Sequence, residues 1–325
     1  MNLLITIGGL ALLLFGGEAL IRGAVGLARR AGISPFIVGL TIIGFGTSAP
    51  EMVVSVDAAL SGSPGIAVGN VIGSNVANIL LIVGAAALFV PLAVHPDALK
   101  RDGMMMAFAT ILFIAIALMG TASWYHGVIA LTVLVAYLGY SIWSDRRGID
   151  AAAQMHSDEG ELLQSGLPDK MWAMLLALAI GLVALVAGSR FAVIGASAIA
   201  REAGISEEVI GITLVAFGTS LPELATAMVA AARKQADVCI GNVIGSNIFN
   251  LLGITGAAAI AAPLPFSASV VTFDIWVLAA VTILFMWFML TGRRIQRWEG
   301  GVLLLLYFTY ISLHFLPKGM LPTGA

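Results

Sequence analysis

Apolar stretches separated by short polar segments follow one another along the whole chain. Each of ten stretches is long enough for an α-helix to cross the hydrocarbon core of a bilayer. These predicted spans cover residues 3–28, 35–60, 66–90, 104–120, 124–143, 172–199, 207–232, 238–262, 273–291 and 299–316. Only a short polar turn near 120–124 separates the fourth span from the fifth, so this boundary is the least well marked. The pattern predicts an all-α polytopic membrane protein with ten transmembrane helices.

Composition indicates that lipid is the main solvent of the chain. Hydrophobic residues make up 60% of the 325 positions and charged residues 10%, whereas a soluble domain has about 25% charged residues. The first span has no Lys or Arg before Arg22 and is longer than the apolar part of a signal peptide, so we expect a retained helix. The single cysteine, Cys239, lies in an apolar span, which excludes a disulfide framework and indicates a packed core residue.

Basic residues indicate how the helices are oriented. The odd-numbered connections between spans contain Arg29, Arg30, Lys100, Arg101, Arg146, Arg147, Lys170, Arg233, Lys234, Arg293, Arg294 and Arg297. The even-numbered connections and the two termini contain only Arg201 and Lys318. Because Lys and Arg are enriched in cytoplasmic loops, we expect the odd-numbered connections in the cytoplasm and both termini outside.

Two segments of the chain occur twice. GFGTSAPE at 44–51 returns as AFGTSLPE at 216–223, and GNVIGSNVAN at 69–78 returns as GNVIGSNIFN at 241–250, always at an offset of 172 residues. Five predicted spans lie between one copy and the next. Since five is odd, the second copy enters the membrane from the opposite side. This inverted-topology repeat is typical of secondary transporters.

The repeat divides the chain into two five-helix halves. The repeated motifs cover 39–88 and 211–260, and about half of their positions are identical. The halves are then 1–144 and 171–325, joined by a polar linker at 145–170 that is too short for a folded domain. We expect this linker to be a solvated cytoplasmic tether.

The pair Pro50–Glu51 needs an explanation, because it falls in the middle of a predicted span. Proline leaves the carbonyl of Gly46 without its helical donor, and a carboxylate at the bilayer centre costs about 2.5–3.5 kcal/mol. Unpaired backbone groups are tolerated there only when they are buried in protein or line a polar cavity. The hydroxyls of Thr47 and Ser48 add further oxygens, and no cationic side chain is near in the sequence. We therefore predict a broken helix at mid-depth that binds a cation.

The second repeated segment supplies the facing wall of this site. Ser74 and Asn78 are four residues apart and share a helix face, and Ser246 and Asn250 repeat the pattern beside the second carboxylate, Glu223. Ligation by oxygen alone suits hard cations such as Ca²⁺ and also Na⁺. If the motif occurred only once, a proline kink with a buried, protonated glutamate would be the alternative to a cation site. For Asn78 and Asn250, the alternative to ion ligation is a hydrogen bond between helices. We assign packing or helix–helix bonding to Asn70, Asn75, Asn242 and Asn247.

Charge arithmetic on this site indicates a mechanism. Two glutamates carry a charge of −2, which one Ca²⁺ or two Na⁺ would neutralise. Competition of the two ions for one pair of carboxylates is the simplest form of antiport. A site with two bare charges resists occlusion, which suppresses leak.

The paired blocks GTSAPE…GNVIGSN and GTSLPE…GNVIGSN resemble the alpha repeats of sodium/calcium exchangers, in the Ca²⁺:cation antiporter superfamily. The short prokaryotic branch with ten helices is the most similar. The resemblance implies exchange of Na⁺ for Ca²⁺ by alternating access in a prokaryotic cytoplasmic (inner) membrane. It also implies a functional monomer in the lipid bilayer, with no enzymatic activity, no cofactor and no nucleic-acid partner.

Specific residue roles are implied by the same resemblance. Glu51 and Glu223 would be ligands shared by Ca²⁺ and Na⁺, and the backbone carbonyls of Thr47 and Thr219 would complete the Ca²⁺ site. One implied Na⁺ site consists of Ser48, Thr219, Ser246 and the carbonyl of Ala216. The other consists of Thr47, Ser220, Ser74 and the carbonyl of Gly44. Asn78 and Asn250 would line the middle, while the first and sixth helices slide as a pair across a fixed core.

Other functions stay open at this point. Exchange of Ca²⁺ against H⁺ is one, although proton-driven exchangers place their key glutamate just after a GN pair, which is here followed by VIGSN. Potassium-dependent relatives typically have Asp at the position of Asn250, which argues against K⁺ cotransport. A passive cation channel is a further alternative. A membrane enzyme would need a base or nucleophile with an aqueous face, and we find no such set.

Further charged side chains lie within the predicted spans. Glu18 and Arg22 are four residues apart, which predicts an ion pair or a contact that changes as the helix slides. Arg190 occupies the repeat position of Glu18. Asp57 lies about 9 Å along the helix beyond the site carboxylate, and its repeat partner is Val229. Symmetry therefore does not support a ligand role for Asp57, and attraction of cations in an outer vestibule is one possible function.

Overall fold

The computed structural model describes residues 1–31, 33–94, 99–146, 170–203 and 216–314. These residues form twelve helices and four two-residue strands. The helices are α1 (Asn2–Ala31), α2 (Phe36–Thr47), α3 (Ala49–Leu60), α4 (Pro64–Phe89), α5 (Lys100–Leu118), α6 (Trp124–Arg146), α7 (Met171–Glu202), α8 (Ala216–Thr219), α9 (Leu221–Ala232), α10 (Ala236–Ala261), α11 (Val270–Gly292) and α12 (Arg297–His314). The strands are β1 (Leu92–Ala93), β2 (Thr121–Ala122), β3 (Leu264–Pro265) and β4 (Arg294–Ile295).

Most of the described chain is helical and apolar enough to lie in a membrane. Seven of the described helices could each cross a bilayer, namely α1, α4, α5, α6, α7, α10 and α11, and α2 with α3 would form an eighth, bent span. The predicted α-helical membrane class is therefore confirmed. The predicted fourth and fifth spans are separate helices, because α5 ends at Leu118 and α6 begins at Trp124. The linker at 145–170 lies almost entirely outside the described residues, as does the start of the seventh predicted span.

The predicted helix break is present in both halves with the same backbone geometry. Between α2 and α3 the chain bends by 44°, and Ser48 at the break has φ −83° and ψ 5°. Between α8 and α9, Ser220 has φ −86° and ψ 3°. Pro50 and Pro222 each lie in the first turn of the helix that follows, where a missing N–H costs no helical hydrogen bond. The proline thus ends one helix and starts the next.

Helices α4 and α10, the second helix after each break, each contain a π-helical stretch. It covers Asn78–Val83 in α4 and Phe249–Ile254 in α10, which are equivalent positions to within one residue. Such stretches change the direction of the following side chains and often occur at functional sites. Each begins at or beside one of the two asparagines, Asn78 and Asn250, that the sequence assigns to the centre of the site.

Helices α1 and α7 pack against each other as an antiparallel pair along a row of glycines. A Cβ atom at Gly9 would lie 2.4 Å from the backbone nitrogen of Ala192, and one at Gly181 would lie 2.5 Å from that of Leu20. The glycines recur every seven residues in both helices, as Gly9, Gly16 and Gly23 and as Gly181, Gly188 and Gly195. Small residues at this spacing let the two backbones touch.

The four short strands join the two halves of the chain. Strand β1 pairs with β4, with Leu92 opposite Ile295, and β2 pairs with β3, with Ala122 opposite Leu264; both pairs are antiparallel. In each pair one strand comes from the first half and the other from the second. The halves are therefore hydrogen-bonded to each other at two places besides their helix contacts.

Candidate functional site

The two carboxylates predicted to bind cations are buried in equivalent positions. Glu51 lies in the first turn of α3 and Glu223 in the first turn of α9, where the helix N-terminus favours negative charge. Both side chains are almost fully buried. The hydroxyl of Ser48 donates a hydrogen bond of 3.0 Å to one oxygen of Glu223. The other oxygen of Glu223 and both oxygens of Glu51 are buried without a hydrogen-bond donor.

Helix α10 packs directly on the segment of α2 that precedes the break. The Ser246 hydroxyl donates a hydrogen bond of 3.1 Å to the carbonyl of Gly44, and the Thr47 hydroxyl lies 3.5 Å from the side-chain oxygen of Asn242. The two backbones are so close at Gly245 that an added Cβ atom would collide with the carbonyl oxygen of Leu40. The first half's ligand segment is thus held against the second half's GNVIGSN segment.

The two central asparagines bridge the halves in the same manner. The amide nitrogen of Asn250 donates to the hydroxyl of Ser74 at 3.0 Å, and that of Asn78 donates to the side-chain oxygen of Asn247 at 3.3 Å. Both amide nitrogens are therefore engaged, while the side-chain oxygens of Asn78 and Asn250 are buried with no donor. An acceptor without a donor in the interior is costly, and these two add to the three free carboxylate oxygens.

The neighbouring asparagines hold the backbone of the site. Asn70 donates to the carbonyl of Glu51 at 3.1 Å and to the Ser55 hydroxyl at 2.9 Å, so it ties α4 to α3 beside the carboxylate. Asn75 donates to the carbonyl of Val71 within its own helix. Asn242 and Asn247 form hydrogen bonds between helices with Thr47 and Asn78, which is the helix–helix bonding predicted for them.

Residues of the second break are described in part. Thr219 ends α8, and Ser220 is the buried residue at the break itself. Ala216 begins α8, and its side-chain surroundings lie outside what the structure describes. The hydroxyl of Ser189 on α7 donates to the carbonyl of Gly218, the carbonyl that Pro222 leaves without a helical donor. No sequence signal indicated this contact, because the repeat position of Ser189 is a glycine.

The donor set fits a hard cation. Among the described residues, no three of His, Cys, Asp and Glu come together as a soft-metal or zinc site would require. The free atoms of Glu51, Glu223, Asn78 and Asn250 are instead oxygens of two carboxylates and two amides. Oxygen ligands of this kind bind Ca²⁺ and other hard cations. A bound cation would supply the positive charge that neutralises the two buried carboxylates.

Charged residues nearer the ends of the helices form a separate group. The Glu18 carboxylate accepts hydrogen bonds of 2.7 Å from Arg22 and 2.6 Å from Arg233. The predicted pair within α1 is thus confirmed, and Glu18 also links α1 to the turn after α9. Asp57 and Arg190 are exposed, and neither forms an ion pair with another described residue.

Together, the fold and the site define an α-helical membrane protein with two buried carboxylates where two repeated segments meet. Residues 1–143 and 173–316 match the family described as sodium/calcium exchanger protein. The chain belongs to this family, whose members are transporters rather than enzymes.

Individual relatives cover nearly the whole chain. It is 37% identical to a putative antiporter, CaxA, of Alkalimonas amylolytica over 94% of this chain and 96% of the relative. It is 33% identical to the sodium/calcium exchanger MaX1 of Methanosarcina acetivorans over 97% of this chain and 98% of the relative. The structure superimposes with a TM-score of 0.81 on the sodium-calcium exchanger NCX_Mj soaked with Na⁺ and Ca²⁺, at 32% identity over 96% of this chain and 97% of that one.

Proposed function

We propose that this protein is a secondary antiporter that exchanges Na⁺ for Ca²⁺ by alternating access to one central site. The observation that carries the proposal is the set of five buried oxygens without a donor on Glu51, Glu223, Asn78 and Asn250. They lie where the two repeated segments meet and require a cation. Membership of the sodium/calcium exchanger family supports Na⁺ and Ca²⁺ as the two ions.

Ligand roles follow the predicted scheme. Glu51 and Glu223 are the ligands common to both ions, with the carbonyls of Thr47 and Thr219 on Ca²⁺. The flanking Na⁺ ligands are Ser48, Thr219, Ser246 and Ala216 on one side and Thr47, Ser220, Ser74 and Gly44 on the other. The bond between Ser246 and the Gly44 carbonyl joins members of these two sets, so the flanking sites would meet where α10 packs on α2.

The proposed architecture is ten transmembrane helices in two inverted halves. Three features support it: the antiparallel contact of the equivalent helices α1 and α7, the identical breaks at Ser48 and Ser220, and the strand pairs that join the halves. The protein would lie as a monomer in a prokaryotic inner membrane, with both termini outside and no resident cofactor.

Charge balance at the site couples the two ions, and the ion gradients drive the exchange. With both carboxylates ionised, the site carries two negative charges in a medium where an uncompensated charge is costly. One Ca²⁺ or two Na⁺ neutralise it, so the loaded site can be occluded and switched. The site without an ion cannot be occluded or switched. This requirement couples inward movement of one ion to outward movement of the other.

The proposal is tested by Ca²⁺ uptake into proteoliposomes loaded with Na⁺. We expect radioactive Ca²⁺ to enter only while an outward Na⁺ gradient exists, whether K⁺ or choline is the external cation. A pH gradient alone should drive no uptake. Uptake driven by pH alone would instead identify a proton-coupled exchanger, and uptake without any counter-ion gradient would identify a passive channel.

The substitution Ser48→Ala should weaken the binding of Na⁺ more than the binding of Ca²⁺. It removes a hydroxyl assigned to a flanking Na⁺ site, and a hydrogen bond or ligand of this strength contributes about 1 kcal/mol. We expect the half-saturating Na⁺ concentration to rise about fivefold, with less than a twofold change for Ca²⁺. Ser63→Ala, in the turn between α3 and α4, is the control, and equal effects on both ions would contradict the assignment.

A further inference from the structure

Equivalent positions of the two halves differ sharply in exposure on α3 and α9. Val53 is 68% exposed, whereas its repeat equivalent Ala225 is 9% exposed. Val54 is 40% exposed, whereas its equivalent Thr226 is fully buried. The same helix is therefore covered in the second half and uncovered in the first. The structure is therefore asymmetric: of the two equivalent helices, α9 is covered and α3 is not.

Helix α1 is the element that covers α9. A Cβ atom at Gly17 would lie 3.2 Å from the side chain of Val229, which places the two backbones side by side. One residue further along α1, Glu18 binds Arg233 in the turn after α9, with a distance of 2.6 Å between Nε and a carboxylate oxygen. An apolar contact and an ion pair thus hold α1 on this half.

The repeat equivalents of these four residues are chemically complementary as well. At an offset of 172 residues, Ser189 and Arg190 on α7 correspond to Gly17 and Glu18, and Asp57 and Ser61 correspond to Val229 and Arg233. Each half thus has one acid and one base, with the charges exchanged between the moving helix and the core, but Asp57 lies four residues before Ser61, the equivalent of Arg233. In the present arrangement Arg190 and Asp57 are both exposed and form no ion pair with a described residue.

We propose that Arg190 on α7 binds Asp57 on α3 in the opposite access state, where it replaces the Glu18–Arg233 pair. The proposal rests on the proposed alternating-access function. In transporters with inverted repeats, alternating access comes from movement of one bundle against the other around a fixed site. By the pseudo-symmetry of the two halves, α7 then comes to lie on α3 as α1 now lies on α9. Arg190 then lies over the turn at Ser61, one helical turn from Asp57.

Ser189 changes partner in the same step. Its hydroxyl now caps the carbonyl of Gly218 beside the second break. When α7 moves onto α3, Ser189 takes the position of Gly17 and faces Asp57 instead. The movement therefore frees a carbonyl next to Glu223 while it covers the exposed face of α3 that leads to Glu51.

Cross-linking of paired cysteines tests the contact directly. In a Cys239→Ala background, Asp57→Cys is combined with Arg190→Cys, and Glu18→Cys with Arg233→Cys, and both are treated with a short bifunctional methanethiosulfonate. We expect the Glu18/Arg233 pair to cross-link in choline without Na⁺ or Ca²⁺. The Asp57/Arg190 pair should cross-link at least tenfold faster when Na⁺ or Ca²⁺ allows the site to switch. Each single-cysteine variant is the control.

Ca²⁺ uptake by the same cysteine variants, measured before the cross-linker is added, distinguishes a failure of this proposal from a failure of the proposed function. If the Asp57/Arg190 variant takes up Ca²⁺ against Na⁺ but never cross-links, the pair is wrong and the antiport stands. Cross-linking of the Asp57/Arg190 pair that is equally fast with and without Na⁺ or Ca²⁺ would also contradict the proposed pair. If the wild-type protein itself shows no Na⁺-dependent uptake, the proposed function has failed.

Charge variants measure the contribution of the pair. Arg190→Gln and Asp57→Asn should each retain exchange but shift the external half-saturating Ca²⁺ concentration by about threefold, as expected for a partly exposed ion pair. Arg190→Lys, and the double exchange of Asp57→Arg with Arg190→Asp, should restore the wild-type value. Additive effects of Arg190→Gln and Asp57→Asn would show that the two residues do not interact.

Discussion

Replacement of either central carboxylate, Glu51→Gln or Glu223→Gln, is expected to abolish Na⁺-driven Ca²⁺ uptake. Each change removes one of the two charges that neutralise the ion and puts an N–H₂ donor among the oxygens. With one carboxylate left, a Ca²⁺ ion leaves the site at +1, and the barrier to occlusion rises. We expect uptake in Na⁺-loaded proteoliposomes to fall by at least about a hundredfold, which corresponds to about 2.7 kcal/mol.

Both variants should still fold, which keeps the result interpretable. In buffer without Na⁺ or Ca²⁺ we expect Glu51→Gln to melt at a higher temperature than wild type, because the buried, unpaired carboxylate is gone. Glu202→Gln, at the exposed end of α7, is the control and should transport normally. Near-normal uptake by either site variant would mean that its carboxylate is no ligand.

A second large effect is expected from the contact between α1 and α7. In Gly9→Val the new Cβ atom would lie 2.4 Å from the backbone nitrogen of Ala192 and 2.7 Å from the carbonyl of Gly188. Backbone atoms cannot yield as a flexible side chain does, so the helices must separate. Overpacking of this kind costs about 1–3 kcal/mol. We expect exchange to fall by more than about tenfold and the melting temperature to drop.

The neighbouring residue provides a matched control for this prediction. Gly8 lies on the same helix, but a Cβ atom there meets nothing within 4 Å. Gly8→Val adds the same side chain to the same helix, and it should leave uptake and melting temperature close to wild type. If the two valine variants behave alike, the glycine contact is not required for the pair to move.

Local sequence signals predicted the features that depend on neighbouring residues. The breaks at Ser48 and Ser220 follow from the prolines two residues later, which cannot donate to the preceding turn. The burial of Glu51 and Glu223 follows from their place in repeated apolar segments. The ion pair of Glu18 with Arg22 follows from the spacing of four.

Contacts between the halves could not be read in the same way. The bonds of Ser246 to Gly44 and of Asn250 to Ser74 depend on how helices some two hundred positions apart in sequence pack. The two-residue strands are too short to have a periodicity. The glycine row of α1 and α7 did have a signal, the seven-residue spacing in both copies, but a spacing alone does not name the partner helix.

The glycine row also bears on how such a chain could arise. Gly9 touches Gly188, and Gly16 touches Gly181; under the repeat offset each of these contacts becomes the other. This is the reciprocal pattern of an isologous interface, in which the same surface serves on both partners. A homodimer of the first half alone could form the same seam, so duplication and fusion of one gene would need no new interface there.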